Sequence, residues 1–235
     1  MAKLTALQTL NAVLQNVGES TVASLTSLTG IQLICWDKIT EALQDITTDQ
    51  NTRWTFLESL GVVSLSTGNN AYTITALTTG SDMQEEDRES FKSPDADRKL
   101  IFLTPQEFDT KYPKGITSDM TGHPDYYMKY AGQIVFNKKA SSAENGDLIN
   151  FRYWKFPTYY STATATGTSD VPEPFDRTLL VALATLKVLT YLGNSEASVY
   201  KVQVFGNGSD IEGSLDKAKR LHTSPQFKPR FTYNL

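Results

Sequence analysis

Leu10–Leu25 reads LNAVLQNVGESTVASL, and this stretch decides how the rest of the chain is organised. Leu7, Leu10, Leu14 and Val17, joined by Val13, recur at steps of three and four residues, which places them on one face of a helix. Gly18 stands where that helix ends, because a residue without Cβ turns left-handed at no steric cost. Glu19, Ser20 and Thr21 then turn the chain, and Val22 and Leu25 bring apolar side chains back towards the helix. The stretch predicts a capped helix with a tucked return, whose apolar face needs a partner.

The partner is predicted immediately downstream. Ile31, Ile34, Cys35, Ile39, Leu43 and Ile46 keep helical spacing, Thr29 is the expected N-cap, and Asp37, Lys38, Glu41 and Gln44 lie on the outer side. So short a link predicts that the two helices pack antiparallel. From Val62 to Phe156 the period changes to two. Tyr72, Ile74 and Ala76 alternate after a Gly68-Asn69-Asn70 turn, Leu100 to Leu103 reads as a short buried strand, and Ile149, Phe151 and Tyr153 share one strand face. Ala131-Gly132, between Asp125–Tyr130 and Gln133–Asn137, predicts a hairpin. Thr104-Pro105-Gln106-Glu107 is a capping box with proline at the first helical position, so a short helix is expected through Phe108 to Lys111. Ser81 to Asp97, with seven acids against Arg88 and Lys92, is expected to be a solvated loop. Several short strands with turns between them predict an antiparallel sandwich or small barrel.

Tyr159 to Asp170 is rich in Ser, Thr, Ala and Gly and is expected to be a flexible loop or linker. Val171-Pro172-Glu173-Pro174 stops the strand region and starts a helix to about Leu192, whose Leu179, Leu180, Val181, Leu183, Leu186, Val188 and Leu189 face nearly all round, the mark of a central helix. Gly193-Asn194 ends it, and a further helical segment to Leu221 is expected to break near Gly206. The order predicts an α+β fold: a helical hairpin over 1–58, an inserted antiparallel β-sandwich or barrel over 59–170, a helical pair over 171–222, and an extended arm over 223–235. The two helix pairs would close one four-helix bundle.

Asn11, Leu14, Val17, Gly18, Glu19, Val22 and Leu25 together resemble the N-terminal signature of bacteriophage head-to-tail adaptor proteins, also called tail tubular protein A in short-tailed phages. That signature is an asparagine, an aliphatic residue three positions on, an aliphatic-Gly-Glu turn, a valine and a leucine. Ser20 and Thr21 stand where the family usually has proline. Trp54 and Phe56 resemble the aromatic pair with which family members close the helical hairpin and open the β region. The resemblance covers most of the chain in topology and is sharp at Leu7–Leu25 and Trp54. It implies a non-catalytic virion protein, without cofactor, forming a ring of about twelve copies under the portal, where cyclic contacts between like subunits close. Its implied partners are the portal ring, further copies of itself, a downstream tail or nozzle protein, and genomic DNA that passes through the channel without sequence-specific binding. The implied place is the neck of the virion, after assembly in the host cytoplasm.

Composition leaves room for this and closes other routes. The formal charge of −4, from 22 basic and 26 acidic residues, gives no overall attraction to nucleic acid or anionic lipid. A single cysteine, Cys35, excludes an internal disulfide and a cysteine-rich metal site within one chain. No run of about 18 apolar residues is present to span a bilayer, and no signal-like block opens the sequence, so no membrane partner is expected. His123 and His222 have no metal-ligand spacing, Gly206-Asn207-Gly208 is no dinucleotide fingerprint, and neither a Walker loop nor a G-x-S-x-G elbow occurs. Asp119 with Asp125, or Glu85 with Glu86, are acids whose spacing fixes no catalytic pair.

The C-terminal arm carries the functional expectation. Thr223–Leu235, TSPQFKPRFTYNL, holds two prolines and alternates aromatics with cations at Phe227, Lys228, Arg230, Phe231 and Tyr233, with Pro229 among them. Aromatic and arginine side chains anchor interfaces, and a proline-stiffened segment loses less entropy on docking. The adaptor resemblance implies that this arm docks on the portal. A stopper or nozzle component of the tail is the nearest alternative. A nucleic-acid-binding module using the basic arm is a second, recognisable by affinity that falls steeply with salt. A hydrolase with a carboxylate site in the β region is a third.

Overall fold

The computed structural model describes residues 2–49, 52–74, 83–94, 98–208 and 211–223. The chain is mixed α+β and divides into two compact units, one made of residues up to Leu57 and from Pro157 onward, the other of Glu58–Phe156.

In the first unit, α1 (Ala6–Asn16) begins at a capping box. The Thr5 hydroxyl accepts from the Gln8 N–H and the Gln8 side chain accepts from the Thr5 N–H. Ala6, Thr9, Leu10, Val13 and Leu14 are its buried stripe, with Leu7 and Val17 half-buried at the margin. Gly18 follows at φ 81°, the left-handed turn its position predicts. α2 (Ile31–Thr47) starts at Gly30 with no side-chain cap, so the expected Thr29 cap is corrected by one residue: a glycine at φ 54° makes the entry. Cys35, Trp36, Ile39, Leu43 and Ile46 are buried along it.

The chain returns to this unit at Pro157. Residues 159–170, expected to be a flexible linker grouped with the β region, are instead part of this unit and fastened to α1. The Ala6 N–H donates to the Gly167 carbonyl at 2.8 Å and the Leu7 N–H to the Ala165 carbonyl at 3.2 Å. Thr5 and Thr168 form a β-bridge, and the Tyr160 hydroxyl meets that of Thr9 at 3.1 Å. Composition misled here because small residues allow backbone to lie directly on a helix end.

A wide π turn, Asp176–Val181, leads into α4 (Ala182–Tyr191), and together they bury Leu179, Leu180, Val181, Leu183, Val188 and Leu189. α3 (Pro105–Lys111) belongs to the other unit. Gly193 at φ 67° ends α4, and α5 (Ala197–Phe205) and α6 (Ser214–His222) follow, separated at Gly206 as expected. The segment of α4 packs on α1, α2 and α5, which makes it the centre of the helical unit.

The second unit has two sheets. β1 (Glu58–Ser64), β7 (Leu148–Lys155) and β3 (Met83–Glu86) form an antiparallel sheet with β7 central. β2 (Ala71–Thr73), β6 (Gln133–Phe136), β5 (Tyr126–Tyr130) and β4 (Ile101–Phe102) form the other. β4 runs parallel to β5, so the expectation of a purely antiparallel region is corrected, and no closed barrel exists among the described residues. The parallel pair arises because the capped helix α3 (Pro105–Lys111) and the loop to Asp125 carry the chain back before β5 starts. Ala131 at φ 48° and Gly132 at φ 75° make the two-residue turn of the β5–β6 hairpin.

Both sheets give one face to a single core that includes Val63, Phe91, Tyr127, Ile134, Phe136, Ile149, Phe151 and Tyr153. The acidic segment is therefore not a solvated loop over its described part. Met83–Glu86 is a strand, Glu86 is buried with Lys129 at 3.1 Å and Arg88 at 3.4 Å, and Phe91 is fully buried between Tyr127 and Phe151. One aromatic side chain among many acids outweighs their preference for water, since the buried acid, Glu86, is paired with two cations and Glu89 stays exposed beside Lys99.

Candidate functional site

Three features of the helical unit bear on function: the return after α1, the root of the C-terminal arm, and a groove on α2, α4 and α5. In the first, Asn11 acts as a clamp. Its Oδ1 accepts from the Val22 N–H at 2.8 Å and its Nδ2 donates to the Val22 carbonyl at 3.0 Å. A side-chain amide thus satisfies both backbone groups of one residue, as a neighbouring strand would. The Glu19 N–H donates to the Leu14 carbonyl at 2.9 Å, and Leu25 is buried beyond the clamp. Asn11, Leu14, Gly18, Glu19, Val22 and Leu25 are therefore parts of one local device: helix, left-handed stop, clamp and plug. Glu19 also acts on Cys35, whose thiol is pushed up to about 11, first by burial and then by the Glu19 charge.

The arm is rooted on Trp54. This side chain is buried, its Nε1 donates to the Ile46 carbonyl at 2.6 Å, and its ring stacks on Phe56 at 5.2 Å. His222, the last residue of α6, stands edge-on to Phe56 at 6.2 Å and to Phe175 at 5.4 Å. Thr223, where the arm begins, forms a β-bridge with Trp54. His222 is thus half-buried among aromatic rings. The other histidine, His123, meets Asp147 at 2.7 Å in the β unit. Phe227, Lys228, Pro229, Arg230, Phe231 and Tyr233 lie outside the described residues.

The groove has a volume of about 550 Å³ and an apolar floor from Leu183, Leu186, Tyr191 and Phe205. Its charged rim is largely self-neutralised. Lys187 reaches Asp45 at 2.6 Å and Glu41 at 3.9 Å, Lys38 reaches Glu41 at 2.6 Å, and the Lys38 ammonium stands 5.6 Å over the Tyr191 ring. Lys201 has no ion pair among the described residues. Cations already spent on acids make a poor socket for a phosphate, while exposed Tyr191 and Phe205 beside them suit a protein contact. Spacing alone could not find this groove, because its residues come from three helices.

Among the described residues, no group of three or more His, Cys, Asp or Glu side chains is placed to hold a metal ion, and no helix is long and apolar enough to cross a membrane. The carboxyls of Glu107 and Glu144 are held below the usual range by hydrogen bonds, from Thr104 and Ser141 respectively, and both serve as local caps. A scan against protein-family models finds no match for the chain, and a search of curated proteins finds none, so the resemblance stands on the residues of the α1 return and on Trp54 alone.

Proposed function

We propose that the chain is a head-to-tail adaptor of a bacteriophage virion, a non-catalytic ring subunit of about twelve copies set under the portal, where cyclic symmetry closes the contacts. In this reading the N- and C-terminal helices make one four-helix bundle, and the inserted two-sheet β unit offers a platform for the next tail component. The arm at 223–235 clamps the portal through Phe227, Lys228, Pro229, Arg230, Phe231 and Tyr233. The observation that carries the reading is the Asn11–Val22 clamp: the residues of the resemblance act on one another, with two hydrogen bonds, to set the return after α1. The root of the arm supports it too, since Thr223 leaves the helices from a fixed point beside Trp54. A net charge of −4 is compatible with a channel wall that lets DNA pass without holding it.

The test is native mass spectrometry of the purified protein with portal rings of the same virus. The adaptor reading expects a gain of about twelve subunits, abolished by truncation after His222. No gain would move the protein to a stopper or nozzle position. A DNA complex that weakens steeply with salt would instead favour a nucleic-acid module. Lys219 and Arg220 argue against the last, being engaged with Asp49 at 2.7 Å and Glu212 at 3.1 Å.

A further inference from the structure

The sheet edges of the β unit are not alike. β3 has four residues, a register shift between Met83 and Glu85, and two acids. β2 has three residues and β4 two. Short, bulged or charged edges are the ways in which sheets avoid pairing with other chains. β1 is neither short nor bulged, and its one charge is Glu58 at its start. It is seven residues long, ESLGVVS, keeps unbroken register with β7 from Glu58 to Ser64, and contains neither lysine nor proline. It lies at the edge of its sheet among the described residues. Its outer face is apolar: Leu60 is 68% exposed and Val62 39%, next to Leu148 of β7 at 50%.

The hydrogen-bond parity of the strand is fixed by its neighbours. The Leu65 N–H donates to the Asp147 carbonyl at 2.9 Å, while the Asn150 and Arg152 carbonyls accept from Lys92 at 3.3 Å and Asp87 at 2.9 Å on the opposite side of β7. Odd-numbered residues of β1 therefore face β7, and Glu58, Leu60, Val62 and Ser64 turn their backbone N–H and C=O groups outward.

We propose that this edge pairs antiparallel with β1 of a second copy of the chain, centred on Gly61, so that the two three-stranded sheets join edge to edge. The strand is complementary to itself in this register. Leu60 stands opposite the second copy's Val62, Val62 opposite its Leu60, and Glu58 opposite its Ser64, so every outward backbone group is used and no like charges are opposed. A shift by two residues towards the N-terminus sets Glu58 against Val62, and a shift the other way leaves Glu58 without a partner. In the centred register Leu60, Val62 and Leu148 of both copies share one face of the joined sheet as neighbouring apolar side chains. A second copy is the occupant because the strand supplies its own complement. The dimer is a property of the free protein and does not depend on the adaptor reading; a two-fold contact closes on itself and cannot build a ring.

Two double variants separate this pairing from any other use of the edge. L60K/V62K sets like charges opposite each other, and L60K/V62E sets opposite charges in the same places with equal loss of apolar surface. The wild type should have twice the chain mass of 26.1 kDa in native mass spectrometry. L60K/V62K should halve that mass, L60K/V62E should restore it, and far-UV circular dichroism should be the same for all three. Slow amide exchange at Leu60 and Val62, lost in L60K/V62K, is the second readout. A wild type that stays monomeric when concentrated overturns the proposal. So does L60K/V62E behaving as L60K/V62K, which would mean that the edge serves a different partner or register.

Discussion

The helical unit and the β unit are closed by different means. In the helical unit single polar groups tie distant segments together: Asn11 holds Val22, Asp176 accepts from the Leu4 N–H at 2.7 Å, and the Trp54 indole donates to Ile46. In the β unit the space between sheets is filled by rings. Phe91 lies 4.1 Å from Tyr127 and 4.5 Å from Phe151, both stacked, and Phe102 meets Tyr127 edge-on at 5.4 Å. A helix offers free backbone groups only at its ends, as α1 does to Ala165 and Gly167, so elsewhere loops there need side-chain anchors. Sheets satisfy their backbone within themselves, and what they need is volume.

The contrast is broken most directly at Phe91. Phe91→Ala empties the centre of the stack and should cost about 3–5 kcal/mol in urea denaturation, with loss of amide protection in β5 and β7. A cost as small as that of a surface residue would show that the rings are not what closes this unit. Asn11→Ala strips both partners from Val22 and should cost about 1–3 kcal/mol, with fast exchange at Val22. Asn11→Asp, which keeps an acceptor and loses the donor, should fall between it and the wild type. Equal exchange in all three would remove the polar-anchor account of the helical unit.

Gly61→Ala probes the β unit from the opposite direction. A Cβ there overlaps the Phe151 ring, so overpacking of about 1–3 kcal/mol is expected. Thr104→Ala removes the α3 cap and should cost about 1 kcal/mol. The smallest effect at neutral pH belongs to Cys35. Its folded thiol is pushed up to about 11 from 9.0, so it keeps its proton where the unfolded thiol has lost one. The contribution of Cys35 should therefore be constant below pH 9 and be lost between 9 and 11. Cys35→Ser should make that limb shallower in pH-dependent denaturation, the remainder coming from Tyr72, Tyr127 and Tyr200, whose hydroxyls burial also pushes up.

Local signals explain what was readable beforehand. The Gly18 stop, the α3 capping box, the Ala131-Gly132 turn and the buried face of β7 each depend on residues within a few positions of one another. The burial of Phe91, the fastening of 159–170 to α1 and the parallel β4–β5 pair depend on partners 25 or more positions away or on small residues that carry no pattern. Asn11 is intermediate. Its place in the signature was visible in the sequence, while its two bonds to Val22 needed three dimensions. The groove on α2, α4 and α5 was not visible at all, since no single helix outlines it.

The split of the helical unit around Glu58–Phe156 has a consequence in time. The Leu4–Asp176 hydrogen bond joins residues 172 positions apart. At about 5–20 residues per second, a ribosome makes α1 wait roughly 10–30 s for that partner. The intervening unit is contiguous and has all its strands before α4 is made. During the interval the apolar stripe of α1 has only α2 and its own return to cover it. The Asn11 clamp spans only 11 positions, so both of its partners are made within seconds of each other, long before the central helix.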